Sequence, residues 1–244
     1  IFMSSKDLGT AADFEIELAI PAHMGLGSTP IMGLSVARAL AALHGLADDD
    51  ARALAAAAGV APDEGLATQS FGGGGLLLVD ESGAALRRRM IPHDSEPDDW
   101  VFVLALPRPP AGAPDDLEAT GRAALWRAAE GLDARAEDLV AGRLWPAAEA
   151  DDIAGFGAAL MELRALSGGD EADAEAQATL AIMRAGGAVA WGRALSGLGL
   201  FGLIRGAEPS RRLRRALADH MGHAGGTIMA TICETAGARH RTMP

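Results

Sequence analysis

The sequence predicts an α+β chain in two lobes, and three observations predict it. Phe14, Ile16, Leu18 and Ile20 alternate with less apolar residues and lead into a glycine-rich turn, after which a helical pattern begins at once. The proline-rich run Pro107-Arg108-Pro109-Pro110-Ala111-Gly112-Ala113-Pro114 breaks the chain near its middle. Beyond that run helical stretches dominate, and strands return only toward the end. The lobes are therefore placed at residues 1–110 and 111–244.

The elements follow in order. Period-two alternation over 14–20 reads as a half-buried strand, which Pro21 ends. Pro30 suits the first turn of a helix, where its missing N–H costs nothing. Ile31, Leu34, Val36, Leu40 and Leu43 give that helix an apolar face, and Gly45 stops it. Asp48, Asp49 and Asp50 open a second helix through Ala58, where acidic residues oppose the helix dipole. A second glycine run, Gly72 to Gly75, precedes a short strand over 76–80. Glu81-Ser82-Gly83 turns it back on a partner over 84–90. Trp100 to Leu106 is apolar throughout and reads as a central strand. Helices are expected over 115–130, 133–148, 150–166 and 170–185. Strands at 188–191 and 200–204 flank a third glycine turn. A basic helix over 209–221 and a strand over 227–233 close the chain.

The bulk composition narrows the function. With 244 residues, 49% of them hydrophobic, the chain can bury a core. A formal net charge of −12 gives no general attraction to nucleic acid or to anionic membrane. Two basic clusters stand out, Arg87-Arg88-Arg89 and Arg211-Arg212-Leu213-Arg214-Arg215. The second is most simply the solvated face of its helix. Cys233 is the one cysteine, so no internal disulfide forms, and in its apolar run it reads as a buried structural thiol. No stretch approaches the roughly 20 apolar residues of a membrane span. Ile1 to Lys6 lacks the pattern of a signal peptide. These features together predict a cytoplasmic protein.

The most informative segment is His23-Met24-Gly25-Leu26-Gly27-Ser28-Thr29. Glycines let a backbone approach a ligand without a Cβ in the way. The free N–H groups and dipole of the following helix favour an anion, and Ser28 and Thr29 add hydroxyl donors. Gly25, Leu26, Gly27, Ser28 and Thr29 are thus candidates for holding a phosphorylated small molecule. No Gly-Lys-Ser/Thr follows, which excludes a Walker loop, and the dinucleotide spacing breaks at Ile31. A plain strand-to-helix turn with Ser28 as N-cap fits the same residues. The third glycine cluster, Leu195-Ser196-Gly197-Leu198-Gly199-Leu200, reads alone as a glycine-rich hairpin.

The order of these motifs resembles the GHMP kinase superfamily, and within it the β-ribofuranosylaminobenzene 5′-phosphate synthases of methanopterin biosynthesis. Ile20-Pro21-Ala22-His23-Met24-Gly25-Leu26-Gly27-Ser28, with the helix ending Ala39-Leu40-Ala41-Ala42-Leu43-His44-Gly45, carries most of the likeness. Gly74-Gly75 with Leu76-Leu77-Leu78-Val79-Asp80 looks like that branch's Gly-Gly-aliphatic-Val-Asp segment. Ser196, Gly197 and Gly199 stand where the superfamily has its third motif. The resemblance spans roughly residues 14–240. It implies a two-lobe fold, the first lobe like domain 2 of ribosomal protein S5 and the second ferredoxin-like. It also implies a reaction: 4-aminobenzoate couples to phosphoribosyl pyrophosphate with loss of carbon dioxide and pyrophosphate, magnesium sharing the diphosphate charge. His23 is the candidate catalytic residue, contacting phosphate or carboxylate, or else it caps the turn.

The sequence departs from that pattern at Thr29-Pro30-Ile31, at Asp63-Glu64-Gly65 and at Arg193-Ala194-Leu195. In each place a polar or basic run of the branch is lost. The departures keep two other readings open: a non-catalytic ligand-binding subunit, and a small-molecule kinase with Asp80 as the nearest candidate aspartate. The chain is expected to act on a phosphorylated small molecule, without nucleic acid or membrane, as a homodimer or as a heterodimer with a paralogue.

Overall fold

The computed structural model describes residues 2–5, 12–46, 50–80, 82–91, 98–114, 117–121, 134–167, 173–194, 197–222 and 225–241. These residues form two compact units. One comprises 1–20, 27–90 and 233–244; the other comprises 21–26 and 91–232.

The first unit is built around a long helix. Helices α1 (Phe2–Ser5), α2 (Ser28–Leu43), α3 (Ala51–Ala58) and α4 (Gly65–Gly73) precede a hairpin of β1 (Leu76–Val79) and β2 (Ala85–Arg89). Leu34, Ala37, Leu40 and Ala41 form the buried stripe of α2 and pack with Leu54, Ala55 and Phe71. The stripe runs through Ala37 and Ala41, not Leu43, which is exposed. The alanines allow close helix packing. Helix α2 stops as expected: Gly45 adopts a left-handed φ of 62°, its N–H meets the Ala42 carbonyl, and Leu46 N–H meets Ala41. Asp50 caps α3 through the Ala53 N–H.

Helix α4 was not foreshadowed by the sequence. Its C-terminal carbonyls are met by Arg88, whose guanidinium donates to Gln69 O and Gly74 O. The second glycine run is explained nearby. Gly75 N–H donates to the Glu234 carbonyl, and a Cβ on Gly74 would overlap that same oxygen. Gly74 and Gly75 therefore admit the returning chain at 234–238.

The strand expected at 14–20 does not form. Residues 12–20 are irregular, and Phe14, Ile16 and Leu18 are exposed, Leu18 by 90%. Alternation makes a segment fit for a sheet, but a strand exists only where a neighbour supplies the ladder. No described strand pairs with 14–20.

The second unit is a four-stranded antiparallel sheet in the order β4-β5-β3-β6. Its strands are β3 (Trp100–Pro107), β4 (Ala190–Arg193), β5 (Leu200–Arg205) and β6 (Gly226–Thr231). Before β4 come helical residues 117–121, α5 (Ala134–Leu139) continuing through a π turn at Val140–Leu144 into α6 (Trp145–Glu149), then α7 (Ile153–Leu166) and α8 (Ala174–Ala185). Helix α9 (Ala207–Met221) joins β5 to β6. With α8 and α9 as the crossover helices, this is the βαββαβ ferredoxin-like arrangement.

Strand β3 is central, as its apolar run predicts. Val101, Val103 and Ala105 face Leu180 and Met183 of α8 and Leu213, Leu217 and Met221 of α9. On the opposite parity, Trp100 lies 5.1 Å from Phe156 of α7. Because β3 opens the ferredoxin-like sheet, the boundary between the units falls near Met90 and not at residue 110. The proline run follows β3 without separating it from β5 and β6. The arginines of α9 are solvated as expected, with Arg211 and Arg212 paired to Glu208. Cys233 lies beyond β6 and is half-buried, not fully buried.

Candidate functional site

The glycine turn is built differently along its length. His23, Gly25 and Gly27 all have positive φ, at 68°, 73° and 70°. For the two glycines this costs little; for His23 it is an uncommon backbone state, one His tolerates better than most residues. The His23 carbonyl accepts from Leu198 N–H at 2.7 Å, and the Met24 carbonyl accepts from Gly199 N–H at 3.2 Å. Met24 is fully buried. These bonds fix residues 23–25 against the third glycine cluster.

The approach there is backbone on backbone. A Cβ on Gly25 would overlap the Ala194 carbonyl oxygen and lie 2.6 Å from Gly197 N. A Cβ on Gly197 would overlap Gly25 N and Met24 C, and one on Gly199 would lie 2.6 Å from the Met24 oxygen. The structure thus brings the predicted residues Gly25, Gly197 and Gly199 together. Ser196 lies outside the described residues.

The second half of the turn opens α2. Gly27, not Ser28, is the N-cap; its φ and ψ of 70° and 28° are left-handed, and no side chain caps the helix. Ser28 is already the first helical residue, so the reading of Ser28 as a cap is corrected. Ile31 N–H is the first to find a helical partner, the Gly27 carbonyl at 3.1 Å. The N–H groups of Gly27, Ser28 and Thr29 donate to no described residue. No acidic side chain stands in the first turn of α2. The positive end of the helix dipole is therefore uncompensated by its own helix. Ser28 is half-buried and Thr29 exposed.

The Gly25 N–H does have a partner. It donates to Glu118 Oε1 at 2.8 Å, a contact spanning 93 residues of sequence. Sequence reasoning missed Glu118 entirely. It stands in a helical stretch after the proline run, where a glutamate reads as a solvated residue.

The His23 imidazole makes no hydrogen bond with a described residue. Asp80 organises the β1–β2 turn: its Oδ1 accepts from Ser82 Oγ at 2.6 Å, Ser82 N–H at 2.9 Å and Ala84 N–H at 3.0 Å. The Ser82 hydroxyl above all, then the Ala84 amide, holds its carboxyl below the ordinary aspartate value. Asp63 and Glu64 lie in a 3-10 turn, Pro62–Glu64. Among the described residues no group of three or more His, Cys, Asp or Glu side chains could hold a metal ion. No described helix is long and apolar enough to cross a membrane.

No model of a known protein family matches the chain, and no curated protein matches it. Solved structures do. The chain is similar to homoserine kinase from Cytophaga hutchinsonii, with 17% identity and a TM-score of 0.55 over 89% of this chain and 68% of that one. It is similar to Lactococcus lactis galactokinase in complex with galactose, with 17% identity and a TM-score of 0.62 over 97% and 73%. It is similar to L. major mevalonate kinase in complex with R-mevalonate, with 15% identity and a TM-score of 0.61 over 87% and 67%. At such identities the likeness is one of fold: the chain has the α+β fold of the GHMP kinases. It spans about two thirds to three quarters of the length of these neighbours.

Proposed function

We propose that this chain holds a diphosphate-bearing small molecule at Gly25–Thr29 and acts as a phosphoribosyl-transferring, decarboxylating synthase. The observation that carries the binding half is the set of amides at Gly27, Ser28 and Thr29. They have no described partner and sit at a helix start without an acidic residue. Such groups suit a phosphate, and the Ser28 and Thr29 hydroxyls add donors.

The chemistry asks little of the protein beyond placement and charge. The bond from the anomeric carbon to pyrophosphate breaks, and its electron pair leaves on pyrophosphate. The ring carbon of 4-aminobenzoate that bears the carboxylate forms the new carbon–carbon bond. The bond to the carboxylate then breaks, its electrons restore the aromatic ring, and carbon dioxide departs. No proton has to be removed by a base. Amides at the turn would stabilise charge growing on the leaving diphosphate. Gly197 and Gly199 would hold the turn in place, and the His23 imidazole is offered as a contact to phosphate or carboxylate. Magnesium, held by the substrate's own phosphate oxygens, would share the charge of the diphosphate.

One observation favours a second reading. The three solved structures named above are kinases. A kinase must take a proton from an acceptor hydroxyl, and Asp80, the sequence candidate, is already engaged by three donors in its own turn. This is why the synthase is preferred. The lost polar runs also motivate a non-catalytic chain that pairs with a fuller relative.

Purified chain is to be given phosphoribosyl pyrophosphate, 4-aminobenzoate and magnesium, and separately ATP with homoserine, galactose or mevalonate. Release of pyrophosphate and carbon dioxide in equal amounts supports the synthase. ADP formation with an acceptor overturns it in favour of the kinase. Diphosphate binding without turnover of either set leaves the binding subunit.

A further inference from the structure

The Gly25 amide is held rigidly. Its own backbone is wedged against Ala194 and Gly197, and the neighbouring carbonyls of His23 and Met24 are bonded to Leu198 and Gly199. What it donates to is a side chain, the half-buried carboxylate of Glu118, at 2.8 Å. Glu118 makes no other hydrogen bond or ion pair with a described residue. Among the described residues no cation pairs with this carboxylate, and the Gly25 amide is its hydrogen-bond partner. A carboxylate on a backbone N–H has the charge and the acceptor geometry of a phosphate oxygen.

We propose that Glu118 is a built-in competitor for the Gly25 amide, which an incoming phosphate must displace; the proposal rests on the reading of the turn as an anion site. An anion reaching Gly25 meets a like charge at hydrogen-bond distance from the donor it needs. It must break the Glu118 bond before making its own. Glu118 thereby sets the affinity and selectivity of the turn. It disfavours free anions generally and admits only ligands with enough other contacts to offset the exchange. The wedged backbone does not yield, so the exchange consists of a rotamer change of one side chain.

The test is calorimetric titration of magnesium-free pyrophosphate into the full 244-residue chain, as wild type, Glu118→Gln and Glu118→Ala. Circular dichroism verifies that each variant is folded. Gln keeps a neutral acceptor and removes the charge; Ala removes both. Pyrophosphate should bind at least about fivefold tighter to Glu118→Gln and at least about tenfold tighter to Glu118→Ala than to wild type, since bonds to charged groups exceed neutral ones by roughly that factor. In the unliganded protein the Gly25 amide proton should exchange with solvent faster in Glu118→Ala than in wild type. Equal affinity in all three proteins overturns the competitor role and leaves the anion site standing. Weaker binding in Glu118→Gln overturns it too, because Glu118 would then be supporting the ligand. Absence of binding in every protein overturns the anion site itself and the competitor with it. If Glu118→Ala fails to fold, Glu118→Gln decides alone.

Discussion

Gly25 and Gly27 share one turn and one backbone conformation but differ in what surrounds them, so alanine at each position separates two effects. Both have φ near +70°. An alanine in that region costs about 1–2 kcal/mol at either site. At Gly27 the nearest atom to the new Cβ is Ala67 Cβ at 3.4 Å, an ordinary contact. At Gly25 the new Cβ overlaps the Ala194 carbonyl and lies 2.6 Å from Gly197 N, and both are backbone atoms that cannot rotate aside. Overpacking of that kind adds about 1–3 kcal/mol. Gly27→Ala should therefore cost about 1–2 kcal/mol and Gly25→Ala about 2–5 kcal/mol. At this chain length each kcal/mol corresponds to roughly 2–4 °C in melting temperature. The measurement is urea and thermal denaturation of both variants beside the wild type. Gly197→Ala meets the same contact from its other side and should add the overpacking cost alone, about 1–3 kcal/mol, because its φ is not among the left-handed ones. If Gly25→Ala proved no more destabilising than Gly27→Ala, the close approach of the two glycine clusters would be wrong.

Two further predictions concern residues outside the turn. The indole N–H of buried Trp100 donates to Asp151 Oδ1 at 2.6 Å, and Arg205 reaches Oδ2 at 3.1 Å. Asp151→Ala strands a buried donor and should cost about 1–3 kcal/mol by urea denaturation followed through tryptophan fluorescence. Asp151→Asn keeps an acceptor and tolerates the left-handed φ of 55°, so it should cost less; equal losses would refute the hydrogen-bond account. Asp80 carries a pH signature. Its folded pKa lies below the unfolded one, so its contribution to stability is complete above the unfolded value, about 3.9, and is lost as pH falls through the folded value. Ser82→Ala removes the largest cause and should move the Asp80 carboxyl titration, followed by carbon-13 shift, up toward the ordinary aspartate range. An unmoved titration would mean that the Ser82 hydroxyl is not what holds it.

Much of the fold was legible where the signal is local. The apolar run at Trp100–Pro107 indicates a strand flanked on both sides, and it pairs with β5 and β6. Helix α2 was bounded by Pro30 and Gly45 because both residues act on the backbone beside them. The failures share a cause. Residues 14–20 alternate properly, but pairing depends on a partner that a period cannot reveal. Helix α4 was hidden because glycines stand at both its ends and its stretch is only nine residues long. The lobe boundary was misplaced because prolines mark a break in local structure, whereas β3 is claimed by strands about a hundred residues further on.

The candidate site divides along the same line. Strand-to-helix passage, paired glycines and hydroxyls are local features, so Gly25 to Thr29 stand out by themselves. That Ser28 yields the cap position to Gly27 follows from a left-handed backbone, which the sequence permits at Gly27 without requiring it. The glycines at 197 and 199 looked like hairpin residues because their reason lies elsewhere in the chain: each one lets the 23–25 backbone come within contact distance. Glu118 carries no motif at all. Yet it is the side chain bonded to the Gly25 amide, a contact across 93 residues that no local pattern announces.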